Sequence, residues 1–136
     1  MAKPDNKYPG DSWFARYRER VNADQELSVI GNWFTTTFSL TFDRDRYAFQ
    51  IEKGQISNII HSPKLVVRTV FGFRAPIAVW QKFLSPHPPP LFHDFFAMLM
   101  RVPEFELEGD SLAAMQNARA LHRMMNIMRE TGAPID

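Results

Sequence analysis

Residues 104–111 read Glu104-Phe105-Glu106-Leu107-Glu108-Gly109-Asp110-Ser111 and hold two structural signals in succession. Phe105 and Leu107 alternate strictly with three glutamates, the pattern of a strand with one buried face. Gly109 breaks that pattern, and Asp110 or Ser111 is placed to accept a hydrogen bond from the free N–H groups of a following helix. Downstream, Ala114, Ala118, Leu121, Met125 and Met128 form one stripe at helical spacing, while Gln116, Arg119, Arg123, Asn126 and Glu130 fall on the other side. Gly132 and Pro134 supply the stop. The spacing therefore predicts one long amphipathic helix, and its apolar stripe needs a surface to cover. A sheet with an apolar inner face would provide it.

Upstream, such a sheet is visible. Phe34, Thr36, Phe38, Leu40 and Phe42 alternate with Trp33, Thr35, Thr37, Ser39 and Thr41, which predicts a first strand rich in aromatic and β-branched residues. Asp43-Arg44-Asp45 is a turn, Tyr47, Phe49 and Ile51 mark a second strand, and Lys53-Gly54 turns the chain into a short third strand over 56–61. Ser62-Pro63 bounds that strand, as expected for an edge. Residues 65–73 alternate again and predict a fourth strand, with Leu65, Val67, Thr69, Phe71 and Phe73 on one face and Arg68 on the other. Helices are predicted around Trp13, Phe14, Tyr17 and Val21, from Pro76 through Ile77, Trp80, Phe83 and Leu84, and over 91–101. The last of these is apolar enough to be buried nearly all round, and the Pro-rich residues 85–90 make a stiff exposed connector before it.

The 136 residues fit one domain over 13–136, with 1–12 as a loose N-terminal tail. The tail has no apolar signal-peptide core, and no apolar run approaches the ~20 residues that span a bilayer, so a soluble protein without stable membrane insertion is expected. The lack of cysteine excludes disulfides and thiolate chemistry and fits a reducing, cytoplasmic setting. A formal net charge of +1, with 16 basic and 15 acidic residues, gives no field that would gather a polyanion, so nucleic acid is not an expected partner. The inventory of 12 Phe, 3 Trp, 3 Tyr and 7 Met is large and soft for one small domain.

The order of these elements resembles the sterol carrier protein two family. Tyr47-Ala48-Phe49-Gln50-Ile51-Glu52-Lys53-Gly54-Gln55-Ile56 is similar to that family's second strand, turn and start of the third, and Phe105-Glu106-Leu107-Glu108-Gly109-Asp110 to its last strand and turn. Residues 65–80 resemble its fourth strand leading into a helix. The connector at 85–90 and the bulk of 91–100 depart from the family pattern. The resemblance implies an α+β fold: a five-stranded, mainly antiparallel sheet covered on one face by helices, with an apolar cavity between the layers. It also implies a lipid-like ligand such as a fatty acid, a sterol or a quinone precursor, and no cofactor.

Enzyme chemistry finds no support among the residues. There is no Gly-x-Ser-x-Gly elbow and no phosphate-cradling loop, and His61, His87, His93 and His122 lack the pairing of a zinc site. Glu104, Glu106 and Glu108 belong to the solvent face of a strand rather than to a carboxylate pair. The expected binding residues are instead apolar. Helix stripes of Trp80 and Phe83, of Phe92, Phe95, Phe96 and Leu99, and of Leu121, Met125 and Met128 all face a sheet surface of Phe38, Phe71, Phe73 and Phe105. Arg68, Arg74 or His93 would meet a ligand carboxylate at the mouth. The expectation is thus a non-enzymatic lipid-binding or lipid-carrier protein. The alternative is an interaction or dimerisation module, as a homodimer or as an accessory factor that delivers a lipid intermediate to an enzyme partner.

Overall fold

The computed structural model describes residues 8–132 and 134 of the chain. Its elements run α1 (Asp11–Ala23), α2 (Gln25–Ile30), β1 (Thr36–Phe42), β2 (Asp45–Glu52), β3 (Gln55–His61), β4 (Phe71–Ala75), α3 (Ile77–Phe83), α4 (Phe95–Arg101), β5 (Glu106–Gly109), α5 (Ser111–Gln116) and α6 (Ala118–Glu130). The strands form one five-stranded sheet in the order β3-β2-β1-β4-β5, so β3 is an edge as its sequence predicts. All neighbours are antiparallel except β1 and β4, which run parallel. The α+β class and the mainly antiparallel sheet of five strands are those expected.

Register decides which side chains meet. Phe38 pairs with Phe49 on β2 and with Phe71 on β4, Leu40 with Tyr47 and Phe73, and Phe73 with Leu107 on β5. Side chains alternate across a strand, so these residues share one face. The helices cover it. Phe14 of α1 lies 4.3 Å from Tyr47, Trp80 of α3 lies 4.6 Å from Phe42, and Phe95 of α4 lies 5.5 Å from Phe73, ring centre to ring centre. Buried N–H and O–H groups on these helices find backbone acceptors: Tyr17 Oη donates to Met124 O at 3.0 Å and Trp80 Nε1 to Thr41 O at 2.9 Å. Burial pushes the Tyr17 phenol well above its usual range, so it remains a donor.

Two glycines carry backbone the turns require. Lys53 (φ 51) and Gly54 (φ 78) are both left-handed, as a tight hairpin turn needs, and a Cβ on Gly54 would stand 2.9 Å from Gly31 O. At Gly109 (φ 84) a Cβ would stand 2.6 Å from Val70 O, against which β5 closes.

Several boundaries differ from expectation. Residues 1–7 of the expected tail lie outside the described residues, but Pro9 and Gly10 are buried, Gly10 N donates to Pro134 O at 3.2 Å, and α1 already begins at Asp11. The fourth strand is only Phe71–Ala75: Leu65 and Val66 are fully or largely exposed, and 62–70 is an irregular crossover. The physical reason is the parallel pairing, because a parallel neighbour needs a return path along the sheet before it can start. The crossover lies toward the helix-free face, where Arg46 Nη2 donates to Thr69 Oγ1 at 2.6 Å. Pro76 precedes α3 rather than sitting in its first turn, and Asp43 Oδ1 accepts from Ile77 N. Asp94, not a residue near 91, starts α4 by accepting from Phe96 N at 2.8 Å, and α4 is buried on one side only, with Met100 in solvent. The long closing helix is two. Asp110 caps α5 through Ala113 N, and Asn117 then breaks the helix, its side-chain amide donating to Ala113 O at 2.9 Å.

Candidate functional site

β1 and β4 carry Phe38, Phe71 and Phe73 into a continuous aromatic layer. The Phe38 and Phe71 rings stack at 5.5 Å, Phe71 meets Phe73 edge-on at 6.0 Å, and Phe73 stacks on Phe105 at 5.8 Å. Phe105, just before β5, meets Trp80 edge-on at 5.4 Å, and Trp80 meets Phe83 at 6.3 Å. Leu121, Met125 and Met128 of α6 are buried over this layer, together with Ala120, Met124 and Ile127. Ten of the expected ligand residues, Phe38, Phe71, Phe73, Trp80, Phe83, Phe95, Phe105, Leu121, Met125 and Met128, are therefore brought together as buried core. The other three, Phe92, Phe96 and Leu99, are half-buried at its margin.

The open space beside this layer is a groove of about 620 Å³. Its walls are Phe96, Leu99 and Met100 of α4, Phe105 and Leu107 at β5, and Met115 of α5, with Glu106 the one charged residue. That volume lies within the usual range of small-molecule sites. Three of the expected residues, Phe96, Leu99 and Phe105, thus line an accessible apolar surface. Met100 and Met115 were not expected there. Both are large apolar side chains left in solvent, 83% and 40% exposed, and in sequence they look no different from the buried Met125.

Phe96 also borders a second groove of about 560 Å³ on the outer side of α6, with Glu26, Ala118, Arg119, His122, Arg123 and Asn126. The Phe96 ring stacks on His122 at 6.2 Å. Arg123 is held there by Asp24 at 2.6 Å and Glu130 at 3.0 Å. Its hydrogen bond holds the Asp24 carboxyl below the usual carboxylate range, while Asp24 also caps α2 through Leu27 N. The basic groups expected at the mouth lie elsewhere. Arg74 reaches toward Glu108 at 3.6 Å and borders a polar groove of about 980 Å³ that includes Asp43, Asp45 and Glu104. Arg68 is on the crossover, and the carbonyl of His93 accepts from Arg129. The polar groove carries both Arg44 and Arg74 and four carboxylates beside Ala75, Pro76 and Ile77, so it suits a charged or polar molecule better than an apolar one. Among the described residues no helix is long and apolar enough to cross a membrane, and no three His, Cys, Asp or Glu side chains are grouped to hold a metal.

No protein-family model and no curated protein matches the chain. Solved structures do. A crystal structure of sterol carrier protein 2 superposes with a TM-score of 0.72 at 17% identity, covering 91% of this chain and 98% of that one. A conserved hypothetical protein from Thermus thermophilus gives 0.71 at 17% identity, covering 98% and 95%. The ubiquinone synthesis protein UbiJ-SCP2 gives 0.55 at 10% identity, covering 84% and 90%. Sheet order, the helical cover and these superpositions agree: the chain has the fold of sterol carrier protein 2.

Proposed function

We propose that this protein is a non-enzymatic lipid-binding carrier, a single domain that includes the whole of α1 and shields one apolar ligand from water without transforming it. The observation that carries the reading is the groove of about 620 Å³ beside the aromatic layer, on the fold of a sterol carrier protein. The thirteen residues of the aromatic and methionine layer divide the work. Phe96, Leu99 and Phe105 touch the ligand with Met100, Leu107 and Met115, the other nine buried residues, from Phe38 to Met128, hold that wall in shape, and Phe92 packs at the margin. Affinity comes from desolvating apolar surface, with little from hydrogen bonds. A fatty acid, a sterol or a lipid-like quinone precursor has the required chemistry. The last is in keeping with the likeness to a ubiquinone synthesis protein, and delivery of such a lipid intermediate to an enzyme partner in the cytoplasm belongs to the same reading.

The test is a thermal-shift panel of these lipids on delipidated protein, alongside native mass spectrometry and organic extraction of the purified protein. A ligand at 100 times its dissociation constant adds about 2.7 kcal/mol to the folded state. For this size of domain that raises Tm by on the order of 10 °C. If no lipid shifts Tm and none co-purifies, the groove is an interaction or dimerisation surface instead.

A further inference from the structure

The most exposed aliphatic side chains among the described residues are Leu65, 100% exposed, and Val66, 86% exposed, in the crossover between β3 and β4. Val67 N donates to Lys64 O at 2.9 Å, so Leu65 and Val66 are the two central residues of a hydrogen-bonded β-turn. That is where Gly, Pro, Asn and Asp normally stand. The turn is held out from the body by both ends. Ser62 N donates to Arg46 O at 2.8 Å on one side, and on the other Arg46 holds Thr69 and Val70 N donates to Thr37 O at 2.7 Å. Pro63, Val67 and Thr69 turn partly inward, while Lys64, Leu65, Val66 and Arg68 stand in solvent. The only charges in 62–70 are Lys64 and Arg68; the segment has no acid.

We propose that this turn is a membrane-docking finger that dips Leu65 and Val66 into the acyl boundary of an anionic lipid surface, with Lys64 and Arg68 on the headgroups. Two aliphatics at a preorganised tip, flanked on both sides by cations, match the order of layers met on entering such a surface: anionic heads outside, hydrocarbon beneath. An acidic protein surface would also match the cations, but a lipid surface adds hydrocarbon directly beneath the anionic layer, where the two aliphatic side chains of the tip would lie. The contact is reversible and peripheral, and it does not depend on an occupied groove.

The experiment is flotation of delipidated protein with vesicles of phosphatidylcholine alone, and with about one third phosphatidylserine as the anionic lipid. The wild type floats with the anionic vesicles and far less with the neutral ones. Leu65→Asn with Val66→Asn, a turn-compatible pair that leaves Tm unchanged, lowers partitioning on the order of a hundredfold. Lys64→Gln with Arg68→Gln lowers it roughly 25-fold, and added salt does the same for the wild type. Wild type that does not float, floats equally on neutral vesicles, or floats unchanged after Leu65→Asn with Val66→Asn overturns the inference. So does a wild type that self-associates on size exclusion and is made monomeric by that same pair without ever floating. Flotation without any lipid-induced Tm shift keeps the finger and discards the carrier function.

Discussion

Replacing Met100 by glutamine changes the groove wall without touching the core. Met100 is 83% exposed in the free protein, and covering a methionine side chain fully is worth about 1.5–3 kcal/mol, so a ligand that covers it recovers roughly 1.2–2.5 kcal/mol. That corresponds to a loss of about 8- to 70-fold in affinity for Met100→Gln. The same arithmetic at Met115, 40% exposed, gives roughly 0.6–1.2 kcal/mol, or about 3- to 8-fold. Glutamine is a good helix former at both sites, so stability should stay within about 0.5 kcal/mol at the exposed Met100, whereas at Met115, more than half of which is already covered, it should fall by roughly 0.9–1.8 kcal/mol. The assay is calorimetric titration of delipidated protein with whichever lipid gives the largest thermal shift, on each single variant and the double. Wild-type affinity in the double variant would show that the ligand does not lie against α4 and α5, and the groove assignment would fall with it.

Leu121→Ala should cost roughly 2–5 kcal/mol in chemical denaturation, because Leu121 is fully buried at the middle of the α6 stripe, whereas the exposed Arg119→Ala should cost little. Asp24 sets a pH dependence. Its carboxyl is held low in the folded state by Arg123, so its contribution is present above the ordinary carboxylate pKa and is lost as pH falls through the lowered folded value. Tm measured from neutral to acid pH should therefore fall in the wild type, and Asp24→Asn should lower Tm at neutral pH while flattening that acid limb. An unchanged acid limb in the variant would assign the dependence to other carboxylates.

What the sequence made legible follows from how local each signal is. Strict alternation around Phe38 and Phe49 and the helical spacing of Trp13, Phe14, Tyr17 and Val21 survive folding because near neighbours decide them. Leu65, Val67 and Thr69 alternate just as well, yet they belong to the return path that the parallel β1–β4 pairing demands, and pairing partners are not written in local periodicity. The break at Asn117 was hidden in the same way: the apolar stripe runs on through Ala114 and Ala118 with no Gly or Pro, and only a side-chain bond to Ala113 O interrupts it. The aromatic layer was legible as an apolar surface. Its division into buried core and open wall was not, because whether Met100 or Met125 meets water depends on which element lies over it.

The hydrogen bonds that tie α1 to the far end of the chain bear on how the protein is made. Trp13 Nε1 donates to Gly132 O across a sequence separation of 119 residues, and Tyr17 Oη to Met124 O across 107. At synthesis rates of roughly 5–20 residues per second, α1 waits about 5–25 s for these partners. Phe14 and Tyr17 can meet Tyr47 and Phe49 much sooner, but over that interval the Trp13 indole and the Tyr17 phenol lack their acceptors. The packing of α1 is thus completed only when α6 arrives, and slow codons between the two would lengthen the time in which these two polar groups go unpaired.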